Sequence, residues 1–153
     1  MKVRIYEPRT NDEFDHYYEL RWIVLRKPWK KPRGSEKDDI ENNSTHIMAC
    51  IEKEIVGVGR IHLKSKEKMQ IRYMAVKENY RSKGIGTLIL KELEKRAKNK
   101  PIKYIILNAR ENALQFYINN GYSIIAKGDT LFDSIYHWRM QKILMPKIIS
   151  VYA

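Results

Sequence analysis

The chain has 153 residues, with 30 Lys and Arg against 18 Asp and Glu, for a formal net charge of +12. Its 43% of apolar residues is enough for a core, and a chain of this size buries roughly 68–70% of its unfolded surface without disulfide or metal staples. The lone Cys50 excludes an internal disulfide framework, and no stretch approaches the ~18 consecutive apolar residues of a membrane span. The four histidines are scattered without metal-ligand spacing, and Lys2, Arg4, Glu7 and Arg9 interrupt any signal-peptide core. One soluble, cytoplasmic domain over 1–153 is expected. The positive surplus admits nucleic acid, an anionic surface, an anionic small ligand, or solubility alone.

Met1 to Tyr6 alternates like a short strand until Pro8. Thr10 and Glu13 form a capping-box start, and Phe14, Tyr17, Tyr18, Arg21, Trp22 and Leu25 follow at helical spacing. Pro28 predicts an end near Lys27. Residues 26–41 then hold ten charges in sixteen with two prolines and a glycine, which reads as a lid or acceptor-side loop with one helical turn over Glu36–Ile40, capped by Ser35. His46–Ile51 and Ile55–Leu63 read as a hairpin around Glu52–Glu54, and Met69–Val76 as a third strand. Gly84–Lys100 is a predicted helix with Ile85, Leu88, Ile89, Leu93 and Ala97 on one face and a mixed solvated face bearing Glu92 and Glu94. A strand at Ile102–Leu107, a helix at Glu111–Asn120 and strands at Tyr122–Ala126 and Ile135–Lys142 complete an α/β mixed sheet. The tail 145–153 is suited to an edge strand, to a homodimer contact, or to lying on its own core.

The most informative segment runs from Tyr73 to Thr87, where a strand, a basic turn and two glycines open an amphipathic helix. The first N–H groups of a helix lack internal partners and sit at the positive end of its dipole, so this is an anion site in outline. A Walker loop is excluded because Thr87 follows Gly86 directly, and a Rossmann fingerprint because Ile89 stands where a third small residue is needed. What remains is R-x-x-G-x-G over Arg81–Gly86.

This segment resembles the pyrophosphate-binding motif of the GNAT superfamily of acyl-CoA-dependent N-acetyltransferases. The resemblance extends over roughly 45–143 and includes Ala113, Tyr117, Gly121 and Tyr122, a small residue four before a tyrosine and then a glycine–aromatic pair. Leu20-Arg21, Val24-Leu25 and His137-x-x-Met140 further resemble the ElaA-like branch. One departure is visible: Arg110 stands where an asparagine is usual, with Asn108 and Asn112 nearby.

The resemblance implies a single-domain, mostly antiparallel sheet of about seven strands flanked by helices. It would be splayed between the third strand after the charged loop and the strand following the cofactor helix. It also implies acetyl-CoA as cosubstrate and direct attack by an amine acceptor, a small molecule or a peptide or protein. Backbone groups of Met74, Ala75 and Val76 would hold the pantetheine arm, one N–H polarising the thioester carbonyl. Arg81, Ser82, Lys83, Gly84, Ile85, Gly86 and Thr87 would cradle the pyrophosphate, and Asn108 or Asn112 would contact the arm. Tyr117 would protonate or hydrogen-bond the leaving thiolate; by spacing alone it is equally a core aromatic beside Phe116.

The third strand carries no carboxylate, so no general base is assigned; His46, His62, His137, Glu36, Asp38 and a water chain all remain open. Arg21, Trp29, Arg33, Glu36 and His137 are candidates for the acceptor side, and acidic Glu36, Asp38, Asp39 and Glu41 would suit a cationic amine. Two rival readings stay open, a non-catalytic acyl-CoA sensor and a basic nucleic-acid module. The acids among the lysines of the Gly84–Lys100 helix argue against the second.

Overall fold

The computed structural model describes residues 2–144, and the roles expected of 145–153 lie outside them. Strand β1 (Val3–Tyr6) leads to helix α1 (Asn11–Leu25). The capping box is complete: Thr10 Oγ1 accepts the Glu13 N–H at 3.1 Å, and the Glu13 carboxylate accepts the Thr10 N–H at 3.1 Å. The helix ends at Leu25, and a 3-10 turn over Lys27–Trp29 carries Pro28 near its start, where no N–H is required.

Strands β2 (Ser44–Ile51), β3 (Glu54–Ser65) and β4 (Lys68–Val76) form an antiparallel meander. Helix α2 (Ile85–Lys98) crosses to β5 (Tyr104–Arg110), and a 3-10 turn at Glu111–Ala113 runs into the short helix α3 (Leu114–Asn119). Strands β6 (Ser123–Leu131) and β7 (Ile135–Ile143) close one seven-stranded sheet of order β1-β2-β3-β4-β5-β7-β6. Among the described strands only β4 and β5 run parallel, as the connection through α2 requires. The mixed, mostly antiparallel α/β architecture is the one expected from the sequence.

The two faces of the sheet are covered differently. Ile47, Ala49, Val56, Ile61 and Ile71 pack against Ile85, Ile89, Leu90, Leu93 and Ala97 of α2. Met48, Val58, Tyr73 and Ala75 face the other way, against Tyr17, Leu20 and Leu25 of α1. Helix α2 sits unusually close, because a Cβ on Gly59 would lie 2.7 Å from Met74 Sδ and 2.8 Å from Ile89 Cγ2.

Two expectations about α2 are corrected. At roughly 100° per residue the buried arc runs from Ile85 through Ile89, Leu93, Ala97 and Leu90 to Glu94, and Leu88 falls off its edge, 44% exposed. Glu94 is therefore not on a solvated face: it is 1% exposed, accepting from Tyr122 Oη at 2.8 Å and paired with Lys142 at 3.1 Å.

The helical turn expected at Glu36–Ile40 does not form; a 3-10 turn over Glu41–Asn43 is found instead. Side chains take the backbone groups such a turn would pair. The Glu36 carbonyl accepts from Arg21, and the Asp38 N–H donates to the Glu41 carboxylate. These contacts tie the segment to α1 and, through Asp38 and Glu41, to Arg60 of β3.

Candidate active site

The register between β4 and β5 covers only Lys68–Ile71 against Tyr104–Leu107. Both strands continue beyond it, so the inner edges of Arg72–Val76 and Asn108–Arg110 diverge without ladder partners across the gap. The divergence starts at a bulge. Val58 faces Ala75 and Arg60 faces Arg72, which leaves Tyr73 and Met74 opposite Gly59 alone, with Tyr73 at φ +60. Ala75 and Val76 thus pair with β3 on one side, Met74 sits in the bulge before them, and the other edge of all three has no strand partner. The Val76 carbonyl is partly occupied, accepting from Arg81 Nε at 3.2 Å.

At the end of this gap the chain enters α2 without a side-chain cap or an acidic residue in its first turn. The first helical bond is from Leu88 N–H to the Gly84 carbonyl, which leaves the N–H groups of Ile85, Gly86 and Thr87 free of intrahelical partners. Ser82 (φ +61) and Gly84 (φ +82) both take left-handed conformations, curling the turn into a concavity of N–H groups. Arg81, Ser82 and Lys83 are exposed around it. Helix α3 lies alongside: a Cβ on Gly86 would sit 3.3 Å from the Phe116 ring.

Tyr117 follows Phe116 and is 6% exposed, packed edge-on between Phe116 (5.0 Å) and Tyr122 (5.7 Å). It is a core aromatic, as its spacing allowed, yet its hydroxyl has no hydrogen-bond partner among the described residues. Burial raises its pKa, so it stays a proton donor at neutral pH. Asn108 and Asn112 are exposed at the end of β5 and in the turn after it.

The opposite face, toward α1, is organised by arginines. Arg21 and Arg60, both fully buried, clamp Glu41 at 2.9 and 2.8 Å. Arg60 also pairs with Asp38 at 2.7 Å, and Arg72 with Asp38 at 3.0 Å. Burial alone would raise the Asp38 carboxyl, but the Arg60 hydrogen bonds and charge hold it well below the usual carboxylate range. Glu36 is buried and accepts the Gly34 N–H at 2.7 Å. These acids are bound internally, which leaves Asp39 alone of the four to draw a cationic amine.

The proposed bases are also engaged. His46 bridges Tyr17 Oη (2.9 Å) and the Glu41 carbonyl (2.8 Å), and burial lowers its pKa. His62 lies 3.2 Å from Arg60, where burial and then that charge push it down to about 4. His137 faces the Asp129 and Ile135 carbonyls.

Of the other acceptor-side candidates, Arg21 is sealed inside this network and Arg33 pairs with exposed Glu19. Trp29 does reach the gap, 6.4 Å from Phe132 on the β6–β7 turn and 4.7 Å from Arg110. Phe132 had no sequence signal, and Arg26 was legible only as the first of the basic residues of the 26–41 loop that could frame the cleft. Arg110 had one, the missing asparagine.

The profile of the acetyltransferase (GNAT) domain family matches residues 29–144. The chain belongs to the GNAT acetyltransferase family. A curated relative, the uncharacterized N-acetyltransferase YjcF of Bacillus subtilis (strain 168), is 31% identical over 134 residues, which is 88% of this chain and 95% of that protein. Among solved structures, Escherichia coli ElaA superposes with a TM-score of 0.75 at 18% identity, covering 92% of this chain and 98% of that one. A GNAT family acetyltransferase from Elizabethkingia anophelis with acetyl-CoA bound gives 0.74 at 18%, covering 93% and 98%. At such identities the two structures show the shared fold. In this GNAT-family chain that fold includes the parted strands and the uncapped helix described above.

Proposed function

We propose that this protein transfers an acetyl group from acetyl-CoA to an amine by direct attack within a ternary complex, as a single acyl-CoA N-acyltransferase domain over 1–153. The carrying observation is the gap between β4 and β5 leading onto the uncapped start of α2. An extended arm fits against unpaired strand backbone, and a pyrophosphate fits the N–H concavity with Arg81 and Lys83 beside it.

Acetyl-CoA supplies a thioester carbonyl open to attack and a thiolate leaving group. Backbone groups of Met74, Ala75 and Val76 orient the arm, and one N–H at the bulge stabilises negative charge on the carbonyl oxygen. Ser82–Thr87 hold the phosphates. Tyr117, kept protonated by burial, donates to the departing sulfur. With His46, His62, Glu36, Asp38 and Glu41 all engaged, the amine proton leaves through water. Calorimetric titration with acetyl-CoA, followed by thiol release across a panel of amines, tests the reading. Binding with turnover supports it, and no binding at millimolar concentration overturns it.

A second reading, a non-catalytic acyl-CoA sensor, is favoured by the engagement of His46, His62, Glu36, Asp38 and Glu41 in internal contacts. Tight binding with no turnover of any amine would support it.

A further inference from the structure

We infer that the acceptor carries an anionic group, a carboxylate or a phosphate, held by Arg26 and Arg110 beneath Trp29 and Phe132. The inference rests on the acyl-transfer reading and specifies its acceptor.

These two arginines differ from their neighbours. Arg21, Arg60 and Arg72 each pair with a carboxylate. Arg26, 6% exposed, donates only to carbonyls, to Ser35 at 3.0 Å and Leu25 at 2.9 Å. Arg110 donates to the same Leu25 carbonyl at 3.1 Å. Neither forms a salt bridge among the described residues. A guanidinium has five N–H donors, so most remain for a ligand. Burial, and then the Arg26 charge beside it, lower the Arg110 pKa to about 10. Two like charges held together in partial burial are stabilised most by an anion between them.

Their place in the fold ties them to the gap. Arg110 is the last residue of β5, three beyond the final pair with β4. Arg26 reaches from the end of α1 to the rings of Tyr73 (5.8 Å), at the β4 bulge, and Phe132 (5.4 Å). Phe132 takes φ +52 at the β6–β7 turn, beside Asp133 at φ +57. In that position its ring also meets the Lys31 ammonium at 4.4 Å. Asp38 is spent on Arg60 and Arg72, and the buried Glu36 carboxylate offsets part of the Arg26 charge but reaches no contact with Arg110 among the described residues. The plain alternative is that both arginines merely satisfy the C-terminal carbonyls of α1.

The test uses the intact protein, acetyl-CoA and matched amine pairs in a thiol-release assay. The pairs are free amino acids against their amides, phosphoethanolamine against ethanolamine, and acidic against neutral N-terminal peptides. Every acceptor used should be the anionic member, with kcat/KM at least tenfold above its neutral partner, and the arms separate carboxylate from phosphate. Arg26→Gln and Arg110→Gln should each shrink that ratio mainly through KM, and Arg110→Lys should restore most of it. Equal use of neutral partners overturns the inference. So does a ratio untouched in both variants, or no turnover of any anionic amine by protein that binds acetyl-CoA. Failure to bind acetyl-CoA would instead overturn the acyl-transfer reading beneath it.

Discussion

Glu41 shows how much a single side chain can organise. It receives Arg21 and Arg60 together, accepts the Asp38 N–H, and its carbonyl holds His46. Removing one partner from such a buried group strands a charge. Arg60→Ala should therefore cost about 3–5 kcal/mol in urea unfolding, far more than Arg33→Ala at its exposed pair with Glu19. His62 gives a pH signature. It titrates at 6.5 when unconstrained and at about 4 here, so between those values the unfolded chain binds more protons. Stability then falls as pH drops from 6.5 to 4, with at most about 3 kcal/mol from this residue. Calorimetric melts at pH 7 and 4.5 should differ less in His62→Gln than in wild type. Tyr117→Phe should lower kcat about 10²-fold or more with the acetyl-CoA Kd nearly unchanged, and wild-type turnover would remove its assigned role.

At the scale of elements, close approach of α2 to β3 fixes where the phosphate turn sits. Gly59→Ala puts a methyl inside contact distance of Met74, Ile89 and Leu93. It should cost about 1–3 kcal/mol by overpacking, read as a lowered Tm. Gly84 is a different case, with open space around its Cα but φ +82. Gly84→Ala should lose about 1 kcal/mol and weaken acetyl-CoA binding, because relaxing the turn misaligns its N–H groups. Helix and strand identities were largely legible, since hydrophobic period and the Thr10–Glu13 and Pro28 signals are local. The Glu36–Ile40 turn was not, because side chains take its backbone groups: Arg21 of α1 holds the Glu36 carbonyl, and the Glu41 and Asp38 carboxylates take the Asp38 and Ile40 N–H groups.

Over the whole molecule, the +12 surplus divides into jobs. Buried arginines build the α1 face, while Arg81 and Lys83 stand exposed at the α2 turn. Acetyl-CoA affinity should accordingly fall several-fold between about 0.05 and 0.5 M salt, as screening shortens toward a few ångströms. An Arg81→Gln/Lys83→Gln variant should blunt that slope in calorimetry. The sequence by itself determined the element order, the R-x-x-G-x-G turn and the α3 tyrosine, because each depends on neighbours within a few residues. Only the tertiary structure decided which charges are free. It bound Asp38 and Glu41 to arginines from α1, β3 and β4, and brought Arg26, Arg110 and Phe132 to one mouth. Pairing of charges across a sheet depends on register, bulges and strand order, and these are properties of the folded chain.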